Sequence, residues 1–313
     1  MKKKMRPKRF PFAHTFSIVA RDPQTGEMGV AVQSHWFSTG TVVTWAEPGI
    51  GAVATQSMAE VSYGPLGLFQ MQQKKTAPQV LRDLLEKDAN REVRQVAMVD
   101  AYGNIAVHTG ARCIAEAGHQ TGHQYSVQAN MMLKPTVWPA MAAAYEGATG
   151  SLAERMLAVL DAAQAEGGDV RGKQSAAMLI VSGESNIEPW KGVLVDLRVE
   201  DHPEPLIELR RLYNTQRAYE FMNKGDDLLS KGDVDAAFTA YDAAANLAPH
   251  LLELPFWQAV TLIETGREEQ AFPILKKVIS AEPDWLTLLY RLPAAGLLRD
   301  DPELMQKIRN LIN

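Results

Sequence analysis

The sequence predicts an α+β fold in which two sheets are sandwiched between helices, followed by an all-α C-terminal region. Residues 15–200 contain short runs rich in Val, Ile, Thr and Ala, such as FSIVA, GVAVQS and GIGAVATQS, which are typical of β-strands. Two helical segments, residues 65–87 and 135–166, interrupt these runs. After Pro205 the strand-like runs stop, and residues 216–313 carry apolar side chains at helical spacing.

Local residue types justify the individual elements. The run DPQTGE within residues 15–34 predicts a hairpin turn, because Gly tolerates a positive φ and Asp accepts backbone hydrogen bonds. In the first helical segment, Pro78 fits the first turn of a helix and Thr76 fits its cap. The order of strands, helix pair, strands, helix pair and strands predicts a layered arrangement.

The C-terminal region contains an internal repeat. Aligning Pro249 with Pro283 gives a period of 34 residues, and small residues such as Gly225 and Ala259 then coincide where two helices would cross. This spacing resembles the tetratricopeptide repeat, with the end of the chain as a partial third unit or cap. Because fewer than three repeats rarely stand alone, we expect the module to pack on the first domain or on another subunit.

These observations divide the chain into four segments. We expect a basic N-terminal extension over residues 1–14, a β-rich domain over 15–205, a linker helix over 206–215 and a helical domain over 216–313. The extension fits a solvated tail, with contact to phosphates or an anionic membrane as the alternative. It is followed by FPFA and not by the apolar run of a secretion signal.

Composition favours a cytoplasmic protein with neither nucleic acid nor membrane as a partner. The 313 residues carry a formal net charge of −5, so no general basic field attracts nucleic acid. No apolar stretch approaches the roughly 18 residues expected of a membrane helix. The single cysteine, Cys113, cannot form an internal disulfide, which fits a reducing compartment.

The start of residues 15–34 resembles the opening of the N-terminal-nucleophile hydrolases, which include the proteasome β subunits. In that superfamily a Thr, Ser or Cys begins a strand, and a hairpin follows. The resemblance makes Thr15 the candidate nucleophile. A freed α-amine has a pKa of about 8 and can accept the proton of the adjacent hydroxyl.

Six blocks occur in order over residues 15–214: TFSIVARDPQTGEMGVAVQS, GIGAVATQS, YGPLGL, GHQTGHQYSVQANMM, AERMLAVLDAAQAEGGDVRGKQSAAMLIV and VDLRVEDHPEPLIELRRL. Together they resemble the DUF1028 family of this superfamily. The resemblance implies a four-layer α-β-β-α sandwich and a hydrolase-type reaction without naming a substrate.

This chain departs from the pattern at one point, because fourteen residues precede Thr15. Unless the chain is cleaved after His14, the α-nitrogen of Thr15 is an amide and cannot act as a base. Self-cleavage would require the Thr15 hydroxyl to attack the His14 carbonyl.

Five residues are candidates for catalysis. Thr15 is the nucleophile, with a strand-initiating β-branched residue as the alternative interpretation. Gln33, Ser34 and His35 end the second strand, where one of them can orient the nucleophile or simply form a strand end and turn. Asn130 in VQAN can donate to an oxyanion or a substrate carbonyl, or cap a turn.

Four further residues are candidates for substrate binding. Gln56 lies at the strand end ATQS and Glu60 follows it as a carboxylate, with the polarity of a mobile loop as the alternative interpretation. In the loop GGDVRGK, Asp169 and Arg171 can pair, and Arg171 can bind a substrate carboxylate. The alternative is a tight connection from helix to strand.

Neither a metal nor a cofactor is predicted. His119 and His123 have i, i+4 spacing in GHQTGH, but the flanking glycines favour a loop over a helix. The motif HExxH, the phosphate loop GxxxxGK[ST] and a dinucleotide fingerprint are all absent.

Three functional hypotheses follow. The leading one is a cofactor-independent amide-bond hydrolase that acts on a small-molecule or peptide amide. The alternative is a non-catalytic scaffold whose repeat module binds a protein partner, as repeat surfaces commonly do. The third is a small-molecule-binding protein that uses the GGDVRGK loop. A homodimer is expected by analogy with the superfamily.

Overall fold

The computed structural model describes residues 12–13, 15–186, 188 and 190–312. The chain divides into two compact units, Met1–Arg210 and Arg211–Asn313. The first unit is mixed α/β with antiparallel sheets and the second is helical, as predicted. Most of the basic N-terminal extension lies outside the described residues.

The strands of the first unit form two antiparallel sheets. The strands are β1 Phe12–Ala13, β2 Thr15–Arg21, β3 Met28–Ser34, β4 Thr44–Glu47, β5 Gly51–Met58, β6 Arg94–Asp100, β7 Ile105–Thr109, β8 Gly118–Gly122, β9 Tyr125–Ala129, β10 Ser175–Val181 and β11 Val193–Val199. One sheet has five strands in the order β1-β5-β6-β7, with β4 paired to β5, and the other has six in the order β11-β10-β3-β2-β9-β8.

Helices accompany the sheets and make up the second unit. Those that begin in the first unit are α1 Gly40–Val43, α2 Tyr63–Gln72, α3 Ala77–Lys87, α4 Val137–Gly147, α5 Leu152–Ala165 and α6 Pro205–Ser230. The second unit continues with α7 Val234–Leu247, α8 Glu253–Glu264, α9 Glu268–Ala281, α10 Asp284–Arg291 and α11 Pro302–Ile312. None of the helices in the described ranges is both long and apolar enough to cross a membrane.

Local chemistry sets several boundaries as the sequence predicts. In the β2–β3 turn, the Asp22 carboxylate accepts the N–H of Gln24 at 2.7 Å, and Gly26 has a φ of 77°. Helix α3 begins with a capping box in which Thr76 is the cap, and Pro78 lies in its first turn.

The interpretation of GHQTGH as a loop was wrong, because residues Gly118–Gly122 form the edge strand β8. Glycine is needed there for close approach of aromatic rings, and not for a turn. A Cβ on Gly118 would lie 2.5 Å from the Trp138 ring, and one on Gly122 would lie 2.2 Å from the Tyr125 ring.

The two sheets of the first unit pack face to face. Their shared core is apolar and consists of residues such as Val19, Met28 and Val30 from one sheet and Ala54 and Val99 from the other. Helices α4 and α5 pack on the outer face of the six-stranded sheet, and α2 and α3 on that of the five-stranded sheet. Side chains alternate along a strand, so β2 residues in phase with Val19 point between the sheets.

The helical second unit has an apolar core of its own. Phe256, Ala259 and Leu275 are fully or almost fully buried within it. The repeat alignment predicts small residues at helix crossings, and a Cβ on Gly225 would lie 2.4 Å from the Tyr241 ring. Helix α6 runs uninterrupted from Pro205 to Ser230.

Candidate functional site

Thr15 is the first residue of β2 and is completely buried. Immediately upstream, Ala13 of β1 lies opposite Ser57 at the edge of the five-stranded sheet. The chain therefore passes from one sheet to the other just before Thr15. Among the described residues, the Thr15 hydroxyl has no hydrogen-bond partner.

A row of hydroxyl side chains crosses the six-stranded sheet at this end. Ser34 of β3 lies opposite Thr15 on one side and opposite Ser175 of β10 on the other, so the three residues share one face. Ser175 Oγ donates to the carbonyl of Trp36 at 2.5 Å and accepts the N–H of Thr39 at 3.1 Å. The predicted proximity of Ser34 to Thr15 is thus a consequence of strand register.

The main-chain carbonyl of Thr15 is held by amide donors. The backbone N–H of Asn130 donates to it at 3.1 Å, and the Asn130 Nδ2 lies 3.4 Å away. The Nε2 of Gln56 donates to the same oxygen at 3.3 Å. Two residues predicted from sequence, Asn130 and Gln56, therefore meet at Thr15.

Behind Thr15 lies a buried amide cluster, which we define as Ser17, Gln56, Gln95, Gln128 and Asn130. Ser17 lies opposite Gln128 in one sheet, and Gln56 lies opposite Gln95 in the other. All of them are completely buried. The polar cluster thus fills the space between the sheets next to Thr15, where the rest of the interface is apolar.

Gln95 is the centre of this cluster. Its Oε1 accepts from Gln56 Nε2 at 2.7 Å and from Asn130 Nδ2 at 2.8 Å. Its Nε2 donates to the hydroxyl of Thr109 at 2.9 Å and to the carbonyl of Ala129 at 2.9 Å. Because both amide groups that reach the Thr15 carbonyl also bond to Gln95, this residue fixes their orientation.

Ser17 connects the two sheets. Its hydroxyl donates to Gln56 Oε1 at 2.6 Å and accepts from Gln128 Nε2 at 2.6 Å. The bonds therefore run in one direction, from Gln128 through Ser17 to Gln56. Each buried polar atom in this chain of bonds has a partner. This satisfies the requirement that buried polar groups be hydrogen-bonded.

Gln33 and His35 do not join Thr15. Gln33 alternates with Val32 and Ser34, so its side chain lies on the helix-covered face of the sheet, and neither of its amide atoms has a partner among the described residues. His35 lies beyond the end of β3. Its N–H donates to Asp169 Oδ2 at 3.3 Å, and its Nδ1 is 3.3 Å from the carbonyl of Lys173.

Asp169 and Arg171 pair with each other, as predicted. The Arg171 guanidinium donates through Nη2 at 2.6 Å and Nε at 3.0 Å to the two carboxylate oxygens of the buried Asp169. Val170 N–H donates to the carbonyl of Met131 at 3.1 Å. The loop is thereby attached to the residues that follow Asn130, and the Arg171 charge already has a carboxylate partner.

Glu60 lies in a different cluster on the far side of the five-stranded sheet. Its carboxylate is 3.9 Å from the buried Arg94, whose Nε donates to Asp88 at 2.8 Å. Burial raises the pKa of the Asp88 carboxyl, but hydrogen bonds from Arg94 and the Asn90 N–H, with the Arg94 charge, hold that pKa below its usual range. Glu60 and Asp88 line a cavity of about 220 Å³.

Comparison with known proteins places the chain in a family. A model of a family of unknown function, DUF1028, matches residues 15–209. The chain belongs to the DUF1028 family. The match begins at Thr15 and extends through the strands that carry the amide cluster.

One solved relative is the protein SPO2555 from Silicibacter pomeroyi, a DUF1028 member known from its crystal structure. It is 30% identical, with a TM-score of 0.57, and the similarity covers 64% of this chain and 88% of that one. The protein STIP1 homolog of Dictyostelium discoideum is 33% identical over 72 residues, which are 23% of this chain and 13% of that protein. The chain thus matches only a small part of the latter.

Within this DUF1028 protein, the described residues contain no group of three or more His, Cys, Asp or Glu placed to hold a metal ion. His119 is instead 2.8 Å from the Thr109 hydroxyl through its Nδ1. Burial, followed by the charge of His108, lowers the pKa of His119. This contact extends the chain of hydrogen bonds from Ser17 through Gln56, Gln95 and Thr109 to His119.

Sequence reasoning about this DUF1028 protein missed Gln95 and Gln128. Each is a single polar residue in an otherwise apolar strand, in RQVAMVD and YSVQA. The available signal was the alternation of side chains along the strand. Gln95 lies on the same face as Ala97 and Val99, which is the face toward the other sheet. A polar residue at such a position predicts a buried partner.

Proposed function

We propose that this DUF1028 protein is the precursor of a cofactor-independent amide-bond hydrolase whose nucleophile is Thr15. The observation that carries the proposal is the buried Thr15 hydroxyl without a partner among the described residues, beside a carbonyl held by Gln56 and Asn130. Two facing sheets with helix pairs on their outer faces support the four-layer sandwich of the N-terminal-nucleophile superfamily.

The nitrogen of Thr15 is a peptide nitrogen in this chain, so the proposal requires cleavage of the His14–Thr15 bond. The Thr15 hydroxyl oxygen attacks the His14 carbonyl carbon, and the C–N bond breaks as its nitrogen takes up the hydroxyl proton. An ester links His14 to Thr15 at that stage. Water then hydrolyses this ester, which releases residues 1–14 with a free carboxylate and leaves Thr15 with an α-amine.

In turnover, the α-amine accepts the proton of the Thr15 hydroxyl while the oxygen attacks the substrate amide carbon. The proton passes to the leaving amine as the C–N bond breaks, and an acyl ester remains on Thr15. Water activated by the same amine hydrolyses that ester. Asn130 and Gln56 hold the Thr15 main chain, so that hydroxyl and amine keep their mutual geometry.

The other candidates have different places in this proposal. Ser34 lies beside the nucleophile and orients it. The Asp169–Arg171 ion pair stabilises the loop that contacts the segment after Asn130. The His35 N–H donates to the same Asp169 carboxylate. Gln33 and Glu60 have no role in the proposed chemistry, because Gln33 lies on the helix-covered face of its sheet and Glu60 lies in the connection from β5 to α2, beside Arg94.

Thr15→Ala is the decisive variant. We expect the purified wild-type chain to be cleaved before Thr15 and to hydrolyse small amides or acylated amino acids. Thr15→Ala should remain uncleaved and lose turnover by about a thousandfold or more, because no other group supplies the nucleophile. Thr15→Ser should retain both reactions at reduced rates. Intact mass and an amide-hydrolysis screen measure the two effects.

Thr25→Ala is the matched control, because Thr25 is an exposed threonine in the turn of the same hairpin. It should be cleaved and active like the wild type. An uncleaved wild-type chain that hydrolyses amides, or an active Thr15→Ala variant, would rule out the α-amine mechanism.

A second candidate function is protein binding by the helical unit. A groove of about 430 Å³ between α6 and α7 favours it, with Phe221 and Leu228 on one side and Ala240 on the other. This supports the resemblance to tetratricopeptide repeats, whose surfaces commonly bind partners. A partner that is lost with Leu228→Asp and retained with Thr15→Ala would support this function, whereas retention with both would refute it.

A further inference from the structure

The edge of β5 at Ser57 and Met58 is occupied by the chain's own upstream segment. In β1, Phe12 lies opposite Met58 and Ala13 lies opposite Ser57, in antiparallel register. We propose that this edge is the binding site for an extended peptide on the acyl side of the amide that is cleaved. The inference rests on the proposed function, because its meaning comes from the position of the edge next to Thr15.

The β5 edge is divided between two short strands. One side of β5 is taken by β6 along Gly51–Ser57. On the other side, β4 pairs only with residues 51–54, and β1 takes residues 57–58. Once residues 1–14 leave, the edge at Ser57 and Met58 has no strand partner on that side within the described part of the chain. A stretch of sheet edge without a strand partner is a template for another strand.

The position of this edge relative to Thr15 determines what it binds. Gln56 directly precedes Ser57, and its side chain donates to the Thr15 carbonyl at 3.3 Å. Upstream, His14 alone separates Ala13 from Thr15. In the release step, the His14 acyl group is transferred to the Thr15 oxygen. The segment before Thr15 is thus the first substrate, and β1 is the part of it that lies on the acyl side of the cleaved bond. Any later acyl group attached to the same oxygen extends along the same path.

The end of β5 has an unusual backbone conformation. Ser57 has a φ of 69°, a left-handed conformation that is unfavourable for a non-glycine residue and is typical of functional positions. The carbonyl of Met58 accepts from Arg94 Nη1 at 2.6 Å, and Arg94 is buried and paired with Asp88. The end of β5 is therefore anchored by contacts other than those with β1.

A site of this kind selects a class of substrate. Main-chain hydrogen bonds to a strand edge supply affinity that does not depend on side chains, while neighbouring pockets supply specificity. The preferred substrates are peptides with at least three residues before the scissile amide. Acyl groups without a peptide backbone use the nucleophile but not the edge.

The first test measures turnover on a folded full-length chain. Residues 8–14 are replaced by a protease recognition sequence, and the folded chain is cut immediately before Thr15. The probes are fluorogenic amides of acetyl-Pro-Phe-Ala-His and of acetyl-His. We expect kcat/KM to be at least about tenfold higher for the longer probe, and N-methylation of its Phe and Ala nitrogens to abolish that advantage. Equal values for the two probes would overturn the proposal.

The second test does not require turnover. In the cut chain carrying Thr15→Ala, hydrogen exchange of residues 55–59 should become faster on cutting. It should slow again when acetyl-Pro-Phe-Ala-His amide is added, and the N-methylated peptide should have no such effect. Protection without hydrolysis of any amide would end the hydrolase proposal and leave the peptide site standing. Hydrolysis of small amides with no protection and no length preference would end the peptide site and leave the hydrolase standing.

Discussion

The two units of this protein differ in what they bury. Among the described residues, the buried polar and charged side chains all lie in the first unit, between Thr15 and Ser175. In the second unit, every buried side chain for which the structure gives an exposure is apolar or a tyrosine. An apolar core is therefore sufficient to hold the helices together, whereas the sheets retain buried amides beside Thr15.

The amides are costly to retain. A buried amide without a partner costs several kcal/mol, and a fully bonded network is only about neutral relative to apolar packing. The apolar end of the same interface, at Val19 and Val99, shows that these sheets pack well without amides. The polar end fits the proposal that these amides orient the Thr15 main chain, and five variants test the contrast between the two units.

The largest loss of stability is expected in the purely apolar unit. Phe256 is fully buried, with its ring centroid 4.8 Å from that of Trp285. Phe256→Ala should lower the free energy of unfolding by about 3–5 kcal/mol, because it removes contacts and leaves a cavity. Urea unfolding measures the loss, with the exposed Leu297→Ala as control. A loss equal to the control would mean that this core is not what stabilises the helices.

The next effect should come from the amide cluster. Gln95→Met keeps a similar volume but removes the oxygen to which Gln56 and Asn130 make their shortest bonds, so that these amides keep only the longer contacts such as those to the Thr15 carbonyl. We expect a loss of about 3 kcal/mol in unfolding free energy together with slower cleavage before Thr15. The exposed Gln72→Met should change neither quantity. Normal cleavage in a destabilised Gln95→Met variant would show that the cluster supports the fold and not the site.

A smaller effect is expected at a partly polar contact in the second unit. The Tyr241 hydroxyl donates to Asp226 Oδ1 at 2.8 Å. Tyr241→Phe should therefore cost only about 1 kcal/mol, because the ring stays buried and the carboxylate remains partly solvated. The exposed Tyr290→Phe serves as control. A loss as large as that of Gln95→Met would abolish the distinction between the units.

The smallest effect is a pH dependence of opposite sign in the two units. The folded-state pKa of Asp88 is lowered, so its contribution to stability is present above the unfolded pKa and is lost as pH falls. Burial raises the pKa of Asp226 more than hydrogen bonds from Tyr241 and Thr261 lower it. Its protonated form is therefore favoured on folding, and that contribution is lost as pH rises.

Asn variants of Asp88 and Asp226 separate the two pH dependences of stability. The stability advantage of the wild type over Asp88→Asn should shrink as pH decreases from 7 to about 3, across the usual range of an aspartate. Relative to Asp226→Asn, the wild type should instead gain stability over the same interval. Hydrogen exchange in each unit measures the two trends separately, and trends of the same sign would contradict the assignment.

Much of the local structure could be predicted because its causes lie within a few residues. The Asp22 turn and the Thr76 cap depend on side chains that bond to their own neighbouring backbone. The strand β8 could not be predicted in this way, because its glycines are explained by the rings of Trp138 and Tyr125. The sequence marked Asn130 as a possible donor, but its place beside Thr15 follows from the pairing of β9 with β2.

The sequence by itself determined where most strands, helices and turns fall, since periodicity and capping act over short distances. It also marked Thr15 as a strand-initiating hydroxyl. Only the tertiary structure decided which amides meet. Gln56 and Gln95 are 39 positions apart, and their bond depends on the register of two paired strands and on the face turned toward the other sheet. Such register is set by the packing of the whole interface, because a shift of one residue reverses every side chain.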